Sequence, residues 1–183
     1  VTLGNDADLH VGGNLAVGSA NSSATVVAKP APRTSDTAVG IDVTNNLTVA
    51  VGSAILATGT GYLAQYGPAS PTNLTATVNT TANYAGKDFI GPVSSGGGGG
   101  HHGIGGVGNA GGAGGLPYGN CSAPITMGSG GGRGQGTAGQ YATGGAGGGA
   151  LTMSVGGSVT GNGSISADGT DAGSVGGAAG GGG

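Results

Sequence analysis

Glycine is concentrated in the second half of this 183-residue chain: residues 96–183 hold 38 of the 49 glycines, and residues 1–95 hold 11. In the tract 96–116, every third position from Gly98 onward forms one column, and six of the eight residues other than glycine lie in that column. A period of three belongs neither to an α-helix nor to a β-strand, but it is the period of the polyproline II helix. The tract therefore predicts extended polyproline II segments, with a flexible linker as the alternative.

A polyproline II segment makes no backbone hydrogen bonds to itself, so ordering this tract requires neighbouring segments. Glycine removes the side chains that would hold such neighbours apart. Residues 128–150 and 173–183 are further glycine-rich tracts that offer partners. Because the third column is largely apolar, we expect it to pack on a β-face through Ile104, Val107 and Leu116. The residues other than glycine in the column are His101, Ile104, Val107, Ala110, Ala113 and Leu116.

The first half of the chain alternates apolar and polar residues, which is typical of short β-strands. No segment combines helical spacing with caps, and strong helix formers with charged side chains are scarce, so we expect essentially no α-helix. The candidate strands are Leu9–Val11, Leu15–Val17, Thr25–Ala28, Ile41–Val43, Leu47–Val51, Ile55–Ala57 and Leu74–Val78.

An internal repeat is visible among these strands. Residues 8–20, "DLHVGGNLAVGSA", align with residues 42–54, "DVTNNLTVAVGSA", if one small shift is allowed, and residues 155–169 form a weaker third copy. Strands joined by two-residue corners at such spacing are typical of a solenoid. Ordinary hairpins are the alternative, since Gly-Gly and Asn-Asn also form hairpin turns.

Two stretches carry a resemblance to known families. Residues 150–169, "ALTMSVGGSVTGNGSISADG", and residues 6–20, "DADLHVGGNLAVGSA", resemble the turns of parallel β-helices in repetitive surface proteins of the filamentous-haemagglutinin type. The glycine triplets are similar to the polyproline II bundles of glycine-rich antifreeze proteins and phage tail-fibre adhesins. The resemblance implies an extracellular or cell-surface protein, and it brings no catalytic residue at a matching position.

The low charge of the chain argues against some classes of binding partner. Only 6% of the residues are charged, Lys and Arg number 4, and the net charge is −3. This balance gives no basic surface for nucleic acid and no patch for an anionic membrane. No apolar run approaches the length of a membrane-spanning helix, so we expect no membrane insertion. The chain begins at Val1 without Met, and we interpret it as a mature protein or a segment of a longer one.

The sequence predicts neither an enzyme nor a cofactor. Hydrolysis would require paired carboxylates or a Ser, His and acid arrangement, and no such pattern is present. His101 and His102 are adjacent, but no further ligands lie at metal-site spacing, so we expect no metal site. Cys121 is the single cysteine, and we expect it to be a small buried or half-buried residue, with an intermolecular disulfide as the alternative.

Sequons for N-glycosylation are frequent in this chain, and they are candidate modification sites if the protein meets a glycosylating compartment. They occur at Asn21, Asn46, Asn73, Asn79, Asn120 and Asn162.

Together these patterns predict an all-β protein, either a β-solenoid (parallel β-helix) or a β-sandwich, with a packed glycine-rich polyproline II layer. We expect residues 1–95 to be rich in strands and residues 96–183 to pack on them. The predicted function is a structural subunit of an extracellular fibre or surface layer that assembles head to tail with other copies of itself. The alternative is an adhesin that binds a glycan or receptor through His101, His102, Tyr118, Arg133 and Tyr141.

Overall fold

The computed structural model describes most of the chain and contains fourteen β-strands and no α-helix among the residues it describes. These residues are 1–4, 7–28, 38–67, 94–109, 112–123, 125–136, 140–175 and 178–179. The strands are β1 Thr2–Leu3, β2 Asp8–Val11, β3 Leu15–Val17, β4 Thr25–Ala28, β5 Val39–Val43, β6 Leu47–Val49, β7 Ala54–Leu56, β8 Gly134–Gln135, β9 Tyr141–Ala142, β10 Leu151–Val155, β11 Val159–Gly161, β12 Ser164–Ser166, β13 Ser174–Val175 and β14 Ala178–Ala179.

The main sheets are parallel. Sheet 1 has the order β10-β5-β2, sheet 2 has the order β11-β6-β3, and sheet 3 has the order β1-β4-β7-β12. The chain visits the three sheets in turn, so that β2, β3 and β4 form repeat 1, β5, β6 and β7 form repeat 2, and β10, β11 and β12 form repeat 3. Since consecutive strands of a repeat lie in different sheets and pair in parallel with the next repeat, the hairpin alternative is wrong for these strands. Among the described residues, the antiparallel strand pairs are β8 with β9 and β13 with β14, and isolated antiparallel bridges join Ser19 with Ser22 and Ser94 with Gln135.

The register follows the internal repeat of the sequence. Val11 pairs with Val43, and Leu15 pairs with Leu47, as the alignment of the first two copies predicts. The third copy continues the same columns, with Val159 beside Leu47. Six of the seven candidate strands are present with ends that shift by up to two residues, and the seventh, Leu74–Val78, lies outside the described residues.

The hydrophobic core runs through the middle of these repeats. Ile41, Leu47 and Ile55 of repeat 2 are at most 1% exposed, because repeats 1 and 3 cover them on both sides. Neighbouring residues such as Asp42 and Thr48 point outward and are exposed. This alternation is the period-two pattern of a strand with one buried face.

The corners between sheets 1 and 2 are held by a polar ladder. The backbone N–H of Asn46 donates to Oδ1 of Asn14 at 3.1 Å, and the N–H of Ser158 donates to Oδ1 of Asn46 at 2.9 Å. The side chain at this position of one repeat thus satisfies the backbone of the next. Each bond of this kind contributes about 1 kcal/mol net.

The glycine-rich tracts 96–116 and 128–150 lie between β7 and β10, and backbone hydrogen bonds form within and between them. The N–H of Gly98 donates to Gly106, that of Gly105 to Gly115, and that of Gly115 back to Gly98, at 2.8–2.9 Å. Bonds from Gly61 to Gly147 and from Tyr62 to Gly128, at 2.9 and 3.0 Å, connect this region to the first half of the chain.

The apolar column of the first glycine tract faces solvent, and the prediction that it packs on a β-face is wrong. Ile104 and Val107 are 73% and 75% exposed, and Leu116 is 43% exposed. Several glycines of the tract face inward instead: a methyl carbon added at Gly97 or Gly114 would lie 2.0 Å or less from a backbone carbonyl oxygen. Since the segments approach backbone to backbone, only glycine fits between them, and the side chains are left on the outside.

Candidate functional site

Repeats 1, 2 and 3 stack in that order, and the stack ends at repeat 3, where its apolar columns are open to solvent. Its residues Met153, Val159 and Ile165 are 37%, 56% and 42% exposed. Their register partners in repeat 2 are the buried core residues Ile41, Leu47 and Ile55. These positions of repeat 3 therefore carry apolar residues like those of the core, but they are exposed to solvent. We call the three residues and their strands the repeat-3 face.

The repeat-3 face also presents three strand edges. Among the residues that the structure describes, β10, β11 and β12 are the terminal strands of sheets 1, 2 and 3. Residues 151–166 include no Asp, Glu, Lys, Arg or Pro. Charged residues and Pro are the usual means of preventing a strand edge from pairing with another chain. Nothing in the sequence of these strands provides that protection.

The opposite end of the stack differs from the repeat-3 face. β2 and β3 are the terminal strands of sheets 1 and 2, whereas β1 covers β4 in sheet 3. Leu3 of β1 packs against both core clusters of the stack, and Val17 and Val26 of repeat 1 are buried. This end, which we call the repeat-1 face, is better covered than the repeat-3 face.

The repeat-1 face also carries charge. Asp8 and His10 lie on the exposed side of β2, and Nδ1 of His10 lies 3.0 Å from a carboxylate oxygen of Asp42. Both partners are more than half exposed, so the pair contributes little to stability.

Three of the five predicted contact residues come together in the glycine-rich half. The ring centroids of His101 and His102 are 4.2 Å apart, and Tyr118 packs edge-on to His101 at 5.0 Å. Nε2 of His101 lies 2.9 Å from Oγ1 of Thr126, and the Tyr118 hydroxyl donates to the Met127 carbonyl. These contacts fix the orientation of both aromatic rings.

The two histidines line a groove of about 490 Å³. Its lining includes five glycines and also Thr126 and Ser129, whose hydroxyls bond His101 and the Gly100 carbonyl. The imidazole pair and the backbone groups of this lining can hydrogen-bond a polar ligand such as a saccharide. We call this the histidine groove.

Arg133 and Tyr141 form a separate pair. The Arg133 guanidinium carbon lies 5.0 Å from the centre of the Tyr141 ring, which is a cation–π contact. Neither residue lines the histidine groove. The structure thus brings together His101, His102 and Tyr118, with Tyr118 against the His101 ring but outside the groove lining, and it places Arg133 and Tyr141 elsewhere.

Four of the six sequons lie in the described part of the chain, and all four asparagines are exposed. Asn46 differs from the others because its side-chain amide bonds Asn14 and Ser158 in the corner ladder. Asn120 accepts a hydrogen bond from the N–H of Ser122 in a local turn. Asn21 and Asn162 lie in exposed corners, and Asn73 and Asn79 fall outside the described residues.

The structure adds three findings on other classes of site. Within the described ranges, no three His, Cys, Asp or Glu side chains lie close enough together to hold a metal ion. Cys121 is a free thiol and is exposed, so the prediction that it is buried or half-buried is wrong. The part of the chain that the structure describes contains no helix that is long and apolar enough to cross a membrane.

Sequence reasoning did not identify the repeat-3 face. The third copy of the repeat was visible, but the pattern of one copy does not say whether another repeat covers it. That information comes from the order of strands in the sheets. β1 was also missed, since a two-residue strand carries no periodicity.

Comparisons with protein-family models, with curated proteins and with solved structures find no match to this chain.

Proposed function

We propose that this chain is a structural subunit, or one repeat, of an extracellular fibre or surface layer, and that copies assemble head to tail by strand addition or stacking. The observation that carries the proposal is the repeat-3 face, where core-like residues are exposed beside three strand edges. Unpaired edges are templates for another chain, and exposed apolar residues next to them favour such pairing. The proposal includes neither catalysis nor a cofactor.

In this proposal the three repeats are turns of a parallel β-solenoid, and the glycine-rich segments form a polyproline II layer beside it. The constant parallel register supports the solenoid. The threefold spacing of glycine and the close contacts between glycine backbones support the layer. A stack of such units would resist force through continuous backbone hydrogen bonding, and its partners would be other copies of itself.

The extracellular or cell-surface location is part of the same proposal. Its support is the low charge, the exposed sequons and the resemblance to repetitive surface proteins. Glycans on Asn21, Asn120 or Asn162 would add polar cover to a weakly charged surface.

Sedimentation velocity over a wide concentration range, followed by electron microscopy of the same samples, tests the proposal. We expect larger species at higher concentration and elongated particles in the images. A particle that stays monomeric up to its solubility limit would contradict it.

The histidine groove favours a second function, an adhesin that binds a glycan. A saccharide array should then show selective binding that is lost in the His101→Ala and His102→Ala variants. His10→Ala is the matched control, because His10 is exposed on β2 and does not line the groove. Equal signals for all three variants, or no bound saccharide, would remove this candidate.

A further inference from the structure

We propose that the repeat-3 face of one copy docks on the repeat-1 face of a second copy, and that β1 competes with the neighbour for the edge of β4. This inference rests on the proposed function and specifies which surfaces assemble and what opposes their assembly.

The register inside the molecule defines how the second copy would fit. Repeat 3 pairs with repeat 2 in the same columns in which repeat 2 pairs with repeat 1. If the same step continues across the contact, Met153, Val159 and Ile165 meet three apolar residues of the neighbour. In column order these are Leu9, Leu15 and Val26.

The polar corner also continues across this contact. Within the molecule, the side chain at this corner accepts from the backbone N–H of the adjacent repeat, as Asn14 does from Asn46. Ser158 occupies the same position in repeat 3 and presents a hydroxyl that can accept from the N–H of the neighbour's Asn14. The uncharged strands of repeat 3 impose no repulsion on the Asp8 and His10 side chains of the neighbour.

Sheet 3 is where the two copies conflict. β1 uses the outer edge of β4: the N–H of Val27 donates to the Val1 carbonyl, and the Val1 amine donates to the Thr25 carbonyl, both at 2.9 Å. By the internal register, β12 of the neighbour would pair Ser164 with Thr25 and Ser166 with Val27. Both strands therefore need the same backbone groups of β4.

β1 is the weaker of the two competitors. It has two residues, it forms the edge of its sheet, and Val1 is 83% exposed. A two-residue strand at a sheet edge has few contacts to hold it, so it opens with little cost relative to global unfolding. Displacement of β1 would let sheets 1, 2 and 3 all continue into the second copy, so β1 should raise the concentration at which the protein assembles.

Disulfide trapping tests the register. Thr160 and Ala16 are both exposed and share one column through Thr48, so in the proposed contact they become neighbours across adjacent strands. Adjacent strands lie about 4.8 Å apart, within the range that a disulfide spans. Thr160→Cys and Ala16→Cys are made separately in a Cys121→Ser background, which removes the exposed native thiol.

We expect a disulfide-linked pair when the two variants are mixed and oxidised, and no pair from either variant alone. A pair formed by Thr160→Cys alone would indicate face-to-face docking of two repeat-3 faces and would overturn the proposal. If the wild-type protein assembles but the mixture gives no cross-link, the docking register is wrong while the proposed function stands.

Two further variants test the energetics of the same contact. Val159→Asp places a charge on the repeat-3 face and should abolish assembly, whereas Val51→Asp alters an exposed valine outside the strands and should not. Deletion of residues 1 and 2 removes both hydrogen bonds between Val1 and β4 and keeps Leu3, which packs on the core, so it should lower the concentration for half-assembly about tenfold. An unchanged or higher concentration after the deletion would contradict the role of β1. If neither the wild type nor the deletion variant assembles, the inference and the proposed function both fail.

Discussion

Gly114 lies so close to a neighbouring segment that a methyl carbon added to it would stand 1.7 Å from the carbonyl oxygen of Gly105. No flexible side chain can move aside there, because the obstructing atom belongs to the backbone. Gly106, in the same tract, has nothing within 4 Å of the corresponding position. Two glycines eight residues apart in the sequence thus have different roles, one in close packing and one on the surface.

This difference gives a prediction for single substitutions. Gly114→Ala should destabilise the fold by about 1–3 kcal/mol or more, since the two backbones must separate. Gly106→Ala should change the free energy of unfolding by no more than about 0.5 kcal/mol. Urea denaturation of both variants measures the difference. Equal stability of the two proteins would mean that the segments around Gly105 and Gly114 do not pack against each other.

Threefold spacing could not predict which side of the glycine tract is buried. A column of apolar residues suggests an inward face, and in most folds that inference succeeds. Here the closest contacts are between backbones, so glycines such as Gly97 and Gly114 point inward, and Ile104 and Val107 remain outside. Periodicity identifies the columns, but the spacing between neighbouring segments decides their direction, and that spacing is a tertiary property.

Among the strands, the sequence was more informative. The first two copies share one pattern: Val, two corner residues, a polar residue, an apolar residue and, two positions on, a second apolar residue. This pattern predicted that Val11 pairs with Val43 and that Leu15 pairs with Leu47. The pattern succeeds because a strand with one buried face has a strongly specified register: a shift by one residue would turn its apolar side chains toward solvent. It could not say that β5 also pairs with β10, more than a hundred residues away, since the intervening glycine-rich region interrupts the repeat.

The columns of the stack allow the same substitution to be compared at two depths. Ile55 and Ile165 are register partners in sheet 3, but Ile55 is fully buried and Ile165 is 42% exposed. Ile55→Ala should cost about 2–5 kcal/mol in unfolding free energy, and Ile165→Ala about 1 kcal/mol, because the second change removes less buried surface and leaves no closed cavity. Thermal and urea denaturation at low protein concentration provide the measurement.

Varying the protein concentration provides the control for the comparison of Ile55→Ala with Ile165→Ala. If copies dock through the repeat-3 face, Ile165 becomes buried in the assembly, and the effect of Ile165→Ala should grow as the protein concentration rises. Ile55→Ala should have the same effect at every concentration. An equally large loss from both variants in dilute solution would show that the repeat-3 face is already covered in the monomer.

At the scale of the whole molecule, backbone hydrogen bonds join two regions that are stabilised differently, the strand stack and the glycine-rich segments. The strand stack is held by a conventional apolar core, whereas the glycine-rich segments have few side chains to bury. Backbone hydrogen bonds connect the two regions. The N–H groups of Gly61 and Tyr62 donate to the carbonyls of Gly147 and Gly128, and the N–H of Gly149 donates to the Ala57 carbonyl. Since ordering glycine carries a large entropic cost, the glycine-rich segments depend on this network of bonds and on the stack beside them.

Hydrogen exchange tests whether that network persists in solution. The amides of Gly98, Gly105 and Gly115 donate to one another's segments in a closed cycle, so they should exchange at least about a hundredfold more slowly than in the unfolded chain. If the glycine-rich region depends on the stack, Ile55→Ala should increase the exchange of these amides, even though Ile55 is in the core of the other region. Protection that is unchanged by Ile55→Ala would indicate two independently stable units. Immediate exchange across residues 94–109 in the wild-type protein would instead support the flexible-linker alternative.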